Sequence, residues 1–189
     1  MTLPVLLFIL IPCSILIRKD LTPTDKIVYG LLRFYQHNNG SCWPSLKQLA
    51  TAGGCSVRAI SSTIGRLEKI GLLTVERAYR QNNVYIVQVV KDPTYLRVPG
   101  FILQMEGLSS LGKLVAAAVL YKAQGKGRAW PHQDTLAAEL GCSRRSVIPW
   151  TKSGSPTMWA TFFRGLREEK GSWKMTCISR RSARIFCGS

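Results

Sequence analysis

The stretch SLKQLATAGGCSVRAISSTIGRLEKIG, residues 45–71, decides the fold. Ser45 followed by Gln48 is a helix start, because the hydroxyl accepts from a free backbone amide and the glutamine side chain reaches back to the cap. Leu46, Leu49 and Ala50 then share one side of a short helix over residues 46–52, which Gly53-Gly54 stops. Ser56 caps the next helix, in which Val57, Ile60, Ile64 and Leu67 recur at steps of 3, 4 and 3. Gly71 closes it. Upstream, Thr22-Pro23-Thr24-Asp25 predicts another helix start, with Thr22 as cap, Pro23 at the first helical position and Asp25 closing a capping box. Ile27, Val28, Leu31, Leu32, Phe34 and Tyr35 give that helix a broad apolar face, and Asn38-Asn39-Gly40 ends it. Downstream, Leu72–Val75 and Val84–Val90 read as two strands of a hairpin, with Arg77, Arg80, Gln81, Asn82 and Asn83 in or near its tip.

The order is helix, short helix, tight turn, helix, hairpin. The middle three make a helix-turn-helix and the hairpin adds a wing. An offset of 87 aligns residues 21–63 with 108–150 without a gap, and 12 of the 43 positions are identical. Trp43-Pro44 matches Trp130-Pro131, Leu49-Ala50 matches Leu136-Ala137, and Gly54-Cys55-Ser56 matches Gly141-Cys142-Ser143. Lys26 matches Lys113, and Arg58 matches Arg145. The expected fold class is therefore mainly α with small β-hairpin wings, a winged helix-turn-helix in two tandem copies. Expected boundaries are an apolar N-terminal segment over 1–20 and a first winged domain over 21–90. A linker over 91–100 follows, marked by Asp92-Pro93 and Pro99-Gly100, then a degenerate second domain over 101–169 and a basic tail over 170–189. In the second copy Pro149 stands where Ser62 stands in the first, so its third helix is expected to break after one turn. Ser155-Pro156 then starts another helix through Glu169.

The segment Leu21–Val87 resembles the winged helix-turn-helix domain of phage and plasmid replication proteins and related regulators. The residues that carry the resemblance are Leu21-Thr22, Lys26, Trp43-Pro44-Ser45, Leu49-Ala50, Gly54-Cys55-Ser56, Arg58, Ile60, Gly71-Leu72-Leu73 and Asn83-Val84-Tyr85. It implies DNA binding, in replication initiation or in transcriptional regulation, with replication or transcription machinery as further partners and a homodimer as a compatible assembly.

Composition agrees with a polyanionic partner. The chain has 189 residues, with 26 Lys+Arg against 10 Asp+Glu and a formal net charge of +16. Residues 1–90 hold 10 basic and 4 acidic residues, 91–150 hold 8 and 4, and 151–189 hold 8 and 2, so the excess is not one basic tail. Hydrophobic residues make up 46%, enough for a core. Cys13, Cys42, Cys55, Cys142, Cys177 and Cys187 include no C-x-x-C and no zinc-ligand spacing, so a reduced cytoplasmic chain without metal or cofactor is expected. Residues 3–17 are uncharged. They are shorter than the roughly 20 residues of a membrane-spanning helix, carry Pro4 and Pro12, and lack a preceding basic region. A membrane role is therefore set below that of an extended segment packing its Ile and Leu side chains onto the following domain.

A DNA major groove admits one helix, and the first turn of that helix meets base edges. The DNA-contacting set is therefore Arg58, Ser61, Ser62 and Arg66 on the recognition helix, with Ser56 at its phosphate-facing start. Ser45 and Lys47 join it from the preceding helix, Arg77 and Arg80 from the wing, and Ser143, Arg144 and Arg145 from the second copy. Arg66 and Lys69 lie beyond the first two turns, which favours plain surface charges over base readers for both. Trp43 and Trp130 read as core or hinge packing, and His37 and His132 as surface. A protein–protein adaptor built on winged helices and a membrane-attached regulator are the alternative classes. No P-loop, dinucleotide fingerprint, nucleophile elbow or paired carboxylates stand in a motif context, so no enzyme is expected.

Overall fold

The computed structural model describes residues 8–37, 40–77, 82–123 and 131–151. Strand β1 (Phe8–Pro12) and one helical turn, α1 (Cys13–Leu16), lead into α2 (Pro23–Tyr35). A short strand β2 (Ser41–Cys42), helices α3 (Leu46–Gly53) and α4 (Val57–Lys69), and strands β3 (Leu73–Glu76) and β4 (Val84–Val87) complete the first half. Strand β5 (Tyr95–Pro99) and helices α5 (Gly100–Gln104), α6 (Ser110–Ala123), α7 (Gln133–Glu139) and α8 (Arg144–Thr151) form the second. Arg80, Trp130, the helix expected from Ser155 to Glu169 and the basic tail lie outside the described residues.

The helix starts form where side chains replace missing backbone partners. Thr22 Oγ1 accepts from Asp25 N at 3.3 Å while Asp25 Oδ2 accepts from Thr22 N at 2.8 Å, and Ser45 and Gln48 repeat the exchange at 3.2 and 2.7 Å. Ser56 Oγ accepts from Ala59 N at 3.2 Å at the start of α4. Each such cap stabilises its helix by about 1 kcal/mol. Helix α2 is buried on nearly every side from Asp25 to Leu32, because α4, β1 and α6 all pack on it. Its aromatic end departs from the expected core stripe. Phe34 is 40% exposed and meets Tyr35 edge-on at 5.4 Å, while Tyr29 is the buried ring and donates to Gln88 O at 2.9 Å.

The wing is a three-stranded antiparallel sheet in the order β2-β4-β3, with Leu73 opposite Val87 and Val75 opposite Tyr85. Leu73 and Val75 face inward and Thr74 and Glu76 outward, the two-residue period of a half-buried strand. Cys42, on β2, is wholly buried. Desolvation pushes its thiol up to about 11.

The N-terminal segment and the expected linker form one structure. The stretch expected to be a linker contains β5, which pairs antiparallel with β1. Ile9, Ile11, Leu96 and Val98 are buried on the inner face of this pair, and Gly30 of α2 lets Ile9 and Ile11 approach closely. Asp92 ties the two stretches together, accepting from Ser14 N at 2.7 Å and Thr94 N at 3.0 Å. The apolar N-terminal segment therefore packs as a strand from Phe8 onward. No helix among the described residues is long and apolar enough to cross a membrane.

The offset of 87 now extends beyond the helix-turn-helix. It carries β1 onto β5 and α1 onto α5, with Pro12/Pro99, Ile15/Ile102 and Leu16/Leu103 identical. The strand register is centred on Leu10 opposite Arg97, themselves 87 apart, so Phe8–Pro99 and Pro12–Tyr95 are images of one another. The buried lysines obey the same relation. Lys26 Nζ donates to Leu16 O and Leu140 O, both at 2.7 Å, and Lys113 Nζ donates to Leu103 O at 2.6 Å and Gly53 O at 3.1 Å. Each lysine thus binds its own half's arm and the partner half's helix-turn-helix. This reciprocity is that of an isologous dimer, made here within one chain. One core cluster runs through both halves.

The second half departs from expectation in one respect. Helix α8 does not break after one turn at Pro149 but continues to Thr151. Proline removes one hydrogen bond, to the carbonyl four residues back, and that residue, Arg145, is exposed, as is Pro149 itself. Water can satisfy the freed carbonyl. Buried Val147 and the Trp150 ring hold the helix down, the ring packing against the Cα of Gly112, where an added Cβ would lie 2.8 Å away.

Candidate nucleic-acid interface

Helix α3, the Gly54 turn and α4 create the surface that the sequence pointed to. Gly54 takes a φ of +59° as the C-cap of α3, and Cys55 N donates to Ala50 O at 3.0 Å. Glycine adopts this conformation without the cost a side chain would meet. The turn sets α4 so that Ile60, Thr63, Ile64 and Leu67 face inward. Arg58, Ser61, Ser62 and Gly65 face solvent, and the space around Gly65 is open to 4 Å. Arg58 has no hydrogen bond or ion pair among the described residues, so its guanidinium is available. Ser56 and Lys47 are exposed and Ser45 is half-buried. The outward face of α4 is thus open, cationic and small, on an apolar back.

Two residues sit differently from their sequence reading. Val57, expected in the core, is 46% exposed in the first turn of α4. It lies beside Arg58 and offers an apolar contact of the kind a thymine methyl takes. Trp43 is 50% exposed and stacks on His37 at 4.6 Å, just before α3. No sequence signal separates these positions from core ones, since both residue types are usually buried.

Arg66, one of the expected DNA contacts, is engaged within the protein. Its Nη2 donates to Asp25 Oδ1 at 2.7 Å, its Nε lies 3.1 and 3.2 Å from the two carboxylate oxygens, and its Nη1 donates to Ser62 Oγ at 2.7 Å. The pair fixes α4 to the start of α2. Burial alone would raise the Asp25 carboxyl, but hydrogen bonds from Arg66, Thr22 and Thr63 outweigh it and hold it below the usual range. A carboxyl depressed in the folded state adds stability above its unfolded value, near 4, and that stability is lost as pH falls through the folded value. Asp25→Asn should therefore be less stable than the parent by about 2 kcal/mol at pH 6, with the gap closing toward pH 2. Urea midpoints at both pH values check this; a gap independent of pH would contradict it.

The remaining basic candidates divide. Arg77 is exposed and paired with Glu68, its Nη2 2.6 Å from Glu68 Oε2. In the second half Ser143, Arg144 and Arg145 are exposed at the start of α8. Arg144 Nε lies 3.4 Å from Gln133 Oε1 and 3.5 Å from Asp134 Oδ1. Arg145 has no such partner among the described residues. Asp134 holds the place that Lys47 holds in the first half, so the two helix-turn-helix surfaces carry opposite charge at that point. No cluster of metal-ligating side chains occurs among the described residues.

Residues 19–73 and 106–153 each match the family described as helix-turn-helix domain. Comparisons with curated proteins and with solved structures returned no match.

Proposed function

We infer that this chain, which belongs to the helix-turn-helix domain family, binds double-stranded DNA with sequence preference and acts by binding alone. The observation that carries the reading is the outer face of α4. From Ser56 to Ser62 it is exposed, has an unengaged arginine in its first turn, and is backed by buried Ile60 and Ile64. In this reading Arg58 donates a bidentate pair to guanine, Ser61 and Ser62 contact neighbouring bases, and Val57 packs on a thymine methyl. Ser45, Lys47 and the amide end of α4 at Ser56 hold phosphates, and Arg77 and Arg80 extend that hold along the wing. The resemblance of Leu21–Val87 to replication proteins of plasmids and phages favours an origin or operator of such an element as target. Footprinting separates the two: protection of repeats at an origin supports initiation, and protection overlapping a promoter supports regulation.

Selection of bound duplexes from a random pool tests the reading. Arg58→Ala should relax preference at one or two base pairs, a discrimination of about 1–3 kcal/mol. Unchanged preference would remove Arg58 from the reading set. Arg80→Ala should weaken all sequences alike and lower the salt slope by about 1. Binding of the parent that is indifferent to salt would support a protein–protein adaptor instead.

A further inference from the structure

The two halves are related by rotation and not by a shift. The strand register symmetric about Leu10 and Arg97 requires this, as does the exchange of lysine hydrogen bonds between halves. Duplex DNA has two-fold axes across its length. Equivalent readers related by a two-fold meet inverted half-sites, whereas readers related by translation meet direct repeats. Resting on the DNA-binding reading above, we propose that a single chain recognises an inverted repeat of two unequal half-sites, with α4 on one and α8 on the other.

The paired residues state how the half-sites differ. Arg58 and Arg145 are equivalent, exposed and in the first two turns of their helices, so each half-site carries a guanine at the same place. Val57 in α4 faces Arg144 in the comparison, and an apolar contact is exchanged for a cation turned toward Asp134. Ser61 and Ser62 correspond to Ile148 and Pro149, which offer no side-chain hydrogen bonds to bases. Lys47, which attracts a phosphate, corresponds to Asp134, which repels one. The α4 half-site is therefore the longer and stronger, and the α8 half-site shares the guanine and little else.

The test uses the full chain, duplexes from a random pool long enough for two successive major grooves, and the mass of the resulting complex. The expected outcome is an imperfect inverted repeat bound by one chain. Arg145→Ala should erase information from the weaker half only and lower affinity on the order of tenfold, and Arg58→Ala should erase it from the stronger half only. Both side chains are exposed, so both variants should keep the parent's circular dichroism and unfolding midpoint. A direct repeat, a lone half-site, or a symmetric repeat holding two chains would overturn this inference and leave DNA binding standing. Absence of any enriched sequence at low salt would overturn both.

Discussion

Gly141→Ala is expected to lower stability by about 4 kcal/mol, among the largest effects a single methyl can have in this chain. Gly141 has a φ of +58°, where an L side chain costs roughly 1–2 kcal/mol. The larger part comes from its neighbours. An added Cβ would lie 2.5 Å from Ile17 O, 2.6 Å from Ile17 C and 2.7 Å from Leu16 O. All three atoms are backbone, so relief requires moving the end of α1. Leu16 O is also an acceptor for Lys26, and that bond is strained by the same movement. Gly54→Ala is the image of this change, with its Cβ against Lys113 Nζ and 2.5 Å from Leu103 O. Gly71→Ala is the control, since Gly71 has a φ of +73° but open space around it. It should cost only the conformational part, about 1–2 kcal/mol. Urea unfolding midpoints compare the three; equal losses at Gly71 and Gly141 would show that the close approach contributes nothing.

Lys113→Met is expected to cost about 3 kcal/mol, and Lys26→Met a similar amount. Each ammonium is buried and serves backbone carbonyls at the ends of helices, where no amide is available to them. Hydrogen bonds from a charged donor contribute about 1.5–3 kcal/mol each. Desolvation offsets part of this, and it also pulls both amines below their ordinary values. Methionine keeps the stem and removes the donors, leaving Gly53 O and Leu103 O, or Leu16 O and Leu140 O, without their cation. Because the two lysines brace one junction from opposite sides, the double variant should deviate from additivity by more than 0.5 kcal/mol. Chemical denaturation of the four-member cycle measures it. Single losses below about 1 kcal/mol would mean that the carbonyls find other partners.

The helix-turn-helix was legible because its signals are local. Thr22, Ser45 and Ser56 cap through residues three positions away, and Gly54 and Gly71 mark reversals that few other residues permit. The duplication was legible for the same reason over residues 21–63 and 108–150. The arms were not. Phe8–Pro12 has no polar residue on its outer side, since Leu10 is the exposed position, so the alternation of a strand is absent from the sequence. Tyr95–Pro99 is framed by Pro93 and Pro99 and reads as a connection. Strand β2 has two residues and exists only through its partner, β4. Arg66 was set apart from Arg58 by its place in the helix, but its partner was not visible. Only packing places Asp25, 41 residues away, under Arg66. At Pro149 the rule against proline in a helix failed because the lost bond is at the surface.

On the reading proposed above, fusing both readers into one polypeptide changes how a target fills. Two separate subunits must first meet, so at low abundance their occupancy rises with the square of the subunit number. The tie through β1 and β5 fixes the local concentration of one half around the other, and occupancy then rises in direct proportion to abundance. It also frees each half to change alone, because a substitution that would appear twice in a homodimer appears here once.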